Sequence, residues 1–434
     1  MSESSQITAL IGTVLEAASL DDTDPLAGFR RRFALPASPA GDELVYLCGH
    51  SLGPAPRMAL DLVSEELADW SRLAVLGHHT AQRPWIDYHS FATRGLQHVA
   101  GALHDEVVAM NSLTVNLHLM MASFYRPTSA RFKILIEEGA FSSDHHAVTG
   151  QVGWHGYSPA DAIVTLKPRS GEELLRLEDI LATIDRQRDE LALVLWPGVQ
   201  YRTGQAFDCG AIAAAAQRAG ITLGFDMAHA IGNLPLALHD WGPDFAVWCS
   251  YKYLNAGPGA IGGCFVHERH LTRTDLPRLA GWWGHDPATR FQMLPEFHPS
   301  PNAAGWSVSN PPVLSTAPLI ASLDLFREAG MANLRAKSLQ LTRYLVELLQ
   351  RAAGEHVKMV TPSSEEQRGC QISFRVVGSP QRGRRVFDAL QDKNVICDWR
   401  EPDIIRVAPA PLYNTFVDVY QFAARLAASV REIP

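Results

Sequence analysis

Two side chains carry the first chemical signal. Lys252 lies in CSYKYLNAGPGAIGG (residues 249–263), between two tyrosines and just after the apolar run DFAVWCS. A lysine amine joins an aldehyde as a Schiff base only when neutral, and apolar or cationic surroundings favour that form by lowering its pKa. Asp226 closes a second apolar run, ITLGFD, where an ionised carboxylate is costly unless something pairs with it. Pyridoxal phosphate needs both residue types: a lysine for its aldehyde, and an aspartate that keeps its ring nitrogen protonated so that the ring can accept electrons. By itself Lys252 also fits a strand-end lysine whose stem covers apolar surface. Asp226 is what favours the cofactor reading.

A phosphate also needs a seat. In MNSLTVNLHLMM a helical pattern follows the apolar run DEVVAM, with Asn111 or Ser112 at the cap and Thr114 in the first turn. Unpaired N–H groups and a hydroxyl there can bind an anion, although the same residues also fit an ordinary capped helix. Phe141, in EEGAFSSDHH, is a candidate to lie over a cofactor ring, or else a core aromatic. Gly257, Gly259 and Gly262 match G-x-G-x-x-G, but a dinucleotide site needs a helix directly after the glycines, and GCFVHE reads as a strand. Glycines beside Lys252 instead let backbone and cofactor approach closely.

The elements that must hold these residues are legible as short apolar runs (DEVVAM, FKILIEE, LALVLWPG, ITLGFDMA, DFAVWCS, GGCFVHE) separated by helical patterns. That alternation predicts an α/β fold with an open, mostly parallel sheet covered on both faces, and ligands at the C-terminal ends of its strands. Two amphipathic segments, near 317–329 and 331–353, precede a second, smaller α/β unit. The expected division is an N-terminal arm over 1–44, a large unit over 45–320 and a small one over 321–434. The chain of 434 residues has a net charge of -8 and no dense basic run, so nucleic acid is not an expected partner. No stretch is long and apolar enough to span a membrane. MSESSQITAL carries no basic residue ahead of its apolar stretch, unlike a secretory leader, so a cytoplasmic location is expected. Six cysteines without a C-x-x-C pair, and histidine pairs without H-E-x-x-H spacing, give no metal signal.

Many separate stretches, in order from about residue 46 to 420, resemble the kynureninase family: GHSLG, RPW, NSLTVNLHLMM, GVQYRTGQ, FDMAHAIGNLPLALHDWGPDFAVWCSYKYLNAGPG, GWWGH, SNPP and IRVAPAPLYN. The resemblance implies the aspartate aminotransferase fold, with a seven-stranded sheet in the large unit, and pyridoxal phosphate on Lys252. Asp226 would pair with the ring nitrogen, Phe141 would stack on the ring with Asp144 nearby, and His229 would belong to the cofactor shell. Leu113 (through its backbone), Thr114 and Tyr251 would hold the phosphate, joined by Trp282 and Asn310 from the other subunit of a homodimer with shared sites. Arg406 would grip the α-carboxylate of an amino-acid substrate, which suits a planar guanidinium. The implied reaction is hydrolysis of kynurenine or 3-hydroxykynurenine to anthranilate or 3-hydroxyanthranilate plus alanine. Lys252 would be the base on the α-proton and Tyr251 a proton donor.

His50 stands where the family has asparagine, next to Ser51 of the substrate pocket, and Pro197 stands where a serine is frequent. His78 and Asn310 match members that prefer the 3-hydroxy substrate, which is therefore the expected one, with a differently substituted ring as an alternative. An aminotransferase of the same fold would use the same lysine and aspartate. A cysteine desulfurase would need a cysteine on a mobile loop, and a mere metabolite binder would not need both Lys252 and Asp226.

Overall fold

Seven apolar runs form the main sheet of the computed structural model: β1 (Val107–Ala109), β2 (Lys133–Glu137), β3 (Ile163–Leu166), β4 (Leu191–Pro197), β5 (Thr222–Asp226), β6 (Phe245–Trp248) and β7 (Gly263–Val266). Residues 12–434 are described; the start of the expected N-terminal arm, with most of the segment behind the no-leader expectation, lies outside the described residues. The strand order is β1-β7-β6-β5-β4-β2-β3. Strands β2 to β6 run parallel, and β7 is antiparallel to both of its neighbours, β1 and β6. Successive side chains of a strand point to opposite faces, so a sheet covered on both sides needs apolar residues at every position. Along β4, Leu193 and Leu195 enter one core layer while Val194 and Trp196 enter the other.

Ten helices matter for the site. They are α1 (Val14–Asp22), α2 (Arg57–Leu73), α3 (Ser90–Ala100), α4 (Leu113–Phe124), α5 (Ser142–Trp154), α6 (Cys209–Ala219), α7 (Val313–Ala329), α8 (Met331–Ala353), α9 (Pro380–Asp392) and α10 (Phe416–Glu432). Helices α4 and α5 cover one face of the sheet through Leu117, Met120, Met121, Val148 and Val152. The other face is covered by α3, α6 and α7 through Leu96, Val99, Ile212, Leu319 and Phe326.

A second core gathers α8, α9 and α10 on a four-stranded antiparallel sheet: β8 (Val357–Met359), β9 (Ile372–Val376), β10 (Asp398–Arg400) and β11 (Ile404–Val407), in the order β8-β9-β11-β10. Helix α7 packs on α2 and α3, whereas α8 packs on α10, so the change of packing partner falls at Gly330. Helix α1 packs on α10, and a buried ion pair between Lys337 and Asp24 (2.7 Å) fastens the arm to α8. Among the described residues, no helix is long and apolar enough to cross a membrane.

Candidate active site

The C-terminal ends of the parallel strands converge on one cavity of about 200 Å³. Strand β2 ends at Glu137, β4 at Pro197 and β5 at Asp226, while Lys252 follows shortly after the end of β6. The register sets Asp226 between Pro197 and Val247. Leu113, Thr114, Phe141, Asp144, His229, Tyr251 and Lys252 line the same space as Asp226, so residues spread over more than a hundred positions meet there.

The lysine loop is held from behind. The Gly53 N–H donates to the Tyr251 carbonyl (2.8 Å) and the Asn255 N–H to the Lys252 carbonyl (3.0 Å). The Lys252 ammonium nitrogen stands 5.7 Å from the centre of the Phe141 ring and 5.8 Å from that of Tyr251. Burial, then neighbouring Cys249, pushes the Tyr251 phenol up, so it stays protonated at neutral pH. His229 is buried beside Lys252, and both the burial and that charge hold its imidazole well below the ordinary value.

Two buried carboxylates line the same cavity as the lysine. Asp226 accepts the Ala228 N–H (2.7 Å), and Asp144, in the first turn of α5, has an oxygen without a partner. Burial first, then the Asp226 charge, holds the Asp144 carboxyl well above its usual range. Two such carboxylates side by side favour a cationic N–H between cofactor and protein. At another wall Ser112 occupies the N-cap of α4 without a side-chain hydrogen bond to the helix, so the first-turn N–H groups are free for an anion, with the Thr114 side chain beside them. Phe141 is 39% exposed and meets Tyr201 edge-on at 5.1 Å, leaving ring surface toward the cavity. A protonated pyridine, an anionic phosphate, a flat ring and an aldehyde each find a counterpart in this set, so the residues fit pyridoxal phosphate.

The remaining expected site residues lie elsewhere. His78, Trp282 and Asn310 share a second cavity of about 500 Å³, with Val75, Leu76, Ile86 and Phe291, and none of the three lines the Lys252 cavity. Arg406 on β11 is fully buried behind Tyr201 and does not line the cavity either. Its Nη1 donates to the Tyr201 carbonyl (2.5 Å) and its Nη2 to Ser51 Oγ (3.3 Å) and the Asp398 carboxylate. His50 is also buried, with Nε2 at 3.6 Å from Asp398. Pro197 closes β4, and the next residue, Gly198, carries the backbone bond to the Asp226 carbonyl (2.8 Å).

Glu137, Tyr201 and Asp398 were not singled out by sequence reasoning. Glu137 had a signal: it ends the apolar run KILIE just as Asp226 ends TLGFD. Asp398 had the same signal, since it follows the apolar run VIC, whereas Tyr201 sits between Gln200 and Arg202 and gives no such contrast. All six cysteines are free, five of them are buried, and none lines the cavity, so no sulfur nucleophile faces Lys252. Away from the cavity, Glu106, His239 and His267 bring ligand-type atoms within 4.8 Å of one another; there Glu106 already accepts the Leu103 and Glu268 N–H groups.

Residues 334–426 match the family model of the kynureninase C-terminal domain. A kynureninase of Myxococcus xanthus (strain DK1622) is 56% identical over 416 residues, 96% of this chain and 97% of that protein. Kynureninases of Xanthomonas campestris pv. campestris (strain 8004) and Stenotrophomonas maltophilia (strain K279a) are 56% and 53% identical over 93% and 95% of this chain, and over 95% and 97% of their own. The fold is similar to that of a cysteine desulfurase from Thermococcus onnurineus NA1 (TM-score 0.75, 15% identity, 94% of this chain and 98% of that one). It is also similar to a C-DES mutant with glycine covalently linked to its PLP cofactor (TM-score 0.75, 18% identity, 92% and 98%); at such identities the likeness carries the fold alone. With more than half of its residues identical to relatives matched over nearly their whole length, and a cavity that fits the cofactor, the chain belongs to the kynureninase family and is a pyridoxal phosphate-dependent hydrolase acting on a carbon–carbon bond.

Proposed function

We propose that the enzyme hydrolyses L-kynurenine and L-3-hydroxykynurenine, preferring the latter, to anthranilate or 3-hydroxyanthranilate plus L-alanine, in tryptophan degradation or a related biosynthetic route. The observation that carries this reading is the single cavity shared by Lys252, the Asp226–Asp144 carboxylates and the free N-terminus of α4, in a chain whose relatives are named kynureninase. When bound, pyridoxal phosphate supplies an electron-accepting ring conjugated to the substrate nitrogen.

Lys252 would hold the cofactor aldehyde, and its amine, when free, takes the proton from the substrate α-carbon. Asp226 holds the ring-nitrogen proton, backed by Asp144, and His229 fills the shell between Tyr201 and Tyr253. The Leu113 N–H, Thr114 and Tyr251 hold the phosphate, and Phe141 covers the ring. Water adds across the substrate Cβ–Cγ bond: hydroxide goes to the aryl carbonyl carbon and a proton to Cβ, with Tyr251 as donor, and Lys252 returns the proton to the α-carbon, which leaves the aromatic acid and alanine. Arg406 and Ser51 receive the α-carboxylate as the two units close.

The reading includes a homodimer. Trp282, Asn310 and His78 gather in an apolar cavity of their own, with Val75, Leu76 and Phe291 exposed beside them, which supports a second copy whose site they complete. Asn310 and His78 would then face the ring hydroxyl.

Incubating purified protein and pyridoxal phosphate with each substrate, and following alanine and the aromatic product by chromatography, tests the proposal. The expected result is one alanine per aromatic acid, with the higher kcat/KM for 3-hydroxykynurenine. Lys252→Ala should yield no alanine and lose the visible absorbance of lysine-bound cofactor; an unchanged band refutes the lysine assignment. If only a differently substituted ring gives alanine, the substrate preference is wrong, and His50 is the first residue to vary.

A further inference from the structure

The Arg406 cluster contains one acid, Asp398, that the mechanism above does not use. Strand register fixes their relation: Asp398 on β10 is the direct antiparallel partner of Arg406 on β11, at the end of a ladder that continues with the pairs Trp399–Ile405 and Arg400–Ile404. Opposed residues on neighbouring strands carry their side chains on one face, within reach of each other. The two differ sharply in access, since the Arg406 side chain is 0% exposed and that of Asp398 18%.

A single oxygen of Asp398, Oδ2, takes the Arg406 Nη2 and Arg400 Nε (3.1 Å), accepts from Ser51 Oγ (3.4 Å) and lies 3.6 Å from His50 Nε2. Arg406 has the Tyr201 carbonyl and Ser51 hydroxyl as its other partners, and its Nε has none. Among the described residues Asp398 is therefore the acid that compensates this fully buried guanidinium, and an uncompensated charge there would be strongly destabilising. A planar guanidinium grips a carboxylate best with two parallel N–H bonds. With Asp398 on Nη2, that bidentate edge is already taken.

We propose that Asp398 is a built-in competitor for the substrate α-carboxylate, holding Arg406 until an amino acid arrives and then moving onto Arg400, so that it sets the affinity for the amino-acid moiety. This rests on the reading of Arg406 as the carboxylate receptor. The exchange replaces one carboxylate by another, so Arg406 is never left buried and unpaired. Arg400 suits the receiving role because it already touches Asp398 and is 37% exposed, free to follow it.

Alanine binding to the holoenzyme, read from the absorbance of the bound cofactor, tests the exchange without any need for turnover. Asp398→Asn should lower the Kd for L-alanine roughly tenfold, while ethylamine, which is alanine without its carboxylate, binds as before. Arg400→Gln should raise the alanine Kd severalfold, because the competitor loses its second seat. In the double variant the Arg400 change should have no further effect, since there is no Asp398 charge left to receive. An alanine Kd that is unchanged or higher in Asp398→Asn overturns the proposal, and so does an Arg400→Gln effect of equal size in both backgrounds, which would be plain long-range attraction. If Asp398→Asn does not fold, the Arg400→Gln arm still decides, because an unaltered Kd there also overturns the exchange. Arg406→Lys separates the underlying reading: if it leaves alanine binding intact, Arg406 is not the carboxylate receptor at all.

Discussion

Glu137 and Asp226 end the two strands that flank β4 and sit in the same cavity, yet they meet different partners. Asp226 accepts a backbone N–H, whereas one oxygen of Glu137 has no partner, and burial, reinforced by the Asp226 charge against the Gln200 hydrogen bond, pushes the Glu137 carboxyl up to about 8. The folded protein thus keeps a proton that the unfolded chain has lost above its ordinary pKa of about 4.5. Stability contributed by this group therefore falls as pH rises through the window from about 4.5 to about 8, and is level beyond it. Glu137→Gln should remove that fall: thermal unfolding of the cofactor-free protein should show the variant more stable than the parent near pH 8 and no more stable near pH 4.5. Asp226→Asn, which cannot hold a proton on the ring nitrogen, should lose roughly a hundredfold or more in kcat with near-normal thermal stability. The presence of Lys252 and Asp226 was legible because a charged residue closing an apolar run is conspicuous. The role of Glu137 was not, because its run ends in two glutamates, of which only the first is buried.

At the scale of elements, the glycines around Lys252 divide by function. Gly257 and Gly259 have φ of 84° and 73° in open space, so they serve a turn. Gly262 and Gly263 serve close packing: a Cβ on Gly262 would come within 3.1 Å of the Leu113 nitrogen, at the proposed phosphate seat, and one on Gly263 would strike the Trp248 ring. The closest approach is therefore between strands and helix, not only between backbone and cofactor. Gly53, at the end of GHSLG, is the less obvious member, since a Cβ there would lie 2.5 Å from the Lys252 carbonyl and 2.1 Å from the Asn255 side chain. Gly53→Ala should displace the lysine loop and raise the Kd for pyridoxal phosphate about tenfold or more, while the far-ultraviolet circular dichroism is unchanged. A cofactor titration checks it. The strands were legible as apolar runs bounded by turn residues, but the contact between residue 53 and residue 252 has no periodic signature.

For the whole molecule, the two cavities set the question of assembly. Lys252 lines one, while Trp282, Asn310 and His78 line the other. If each site takes Lys252 from one copy and Trp282 from its partner, inactive Lys252→Ala and Trp282→Ala proteins should complement. Random exchange makes half of the dimers mixed, each with one intact site, so activity should return to about a quarter of the parent's. No recovery after mixing and subunit exchange would place both residues in one copy's site. The contacts between the two cores are mixed: Arg375 pairs with Glu173, Gln371 donates to the Tyr201 carbonyl (2.9 Å) and Cys370 N–H to Asn233 (2.9 Å), while Tyr253 packs on Cys370 and Ala408.

The sequence by itself determined the chemistry: Lys252 and Asp226 at strand ends, a helix start beside Thr114, and a strand after the glycines that removes the dinucleotide reading. These features follow from residue type against an apolar or helical background, which is local information. Only the tertiary structure decided that His78, Trp282 and Asn310 lie apart from Lys252, that Arg406 is shut behind Tyr201 and paired with Asp398, and that Gly53 supports the lysine loop. Those relations depend on strand register and on the packing of layers between residues far apart in the chain, and no local pattern of residue types encodes them.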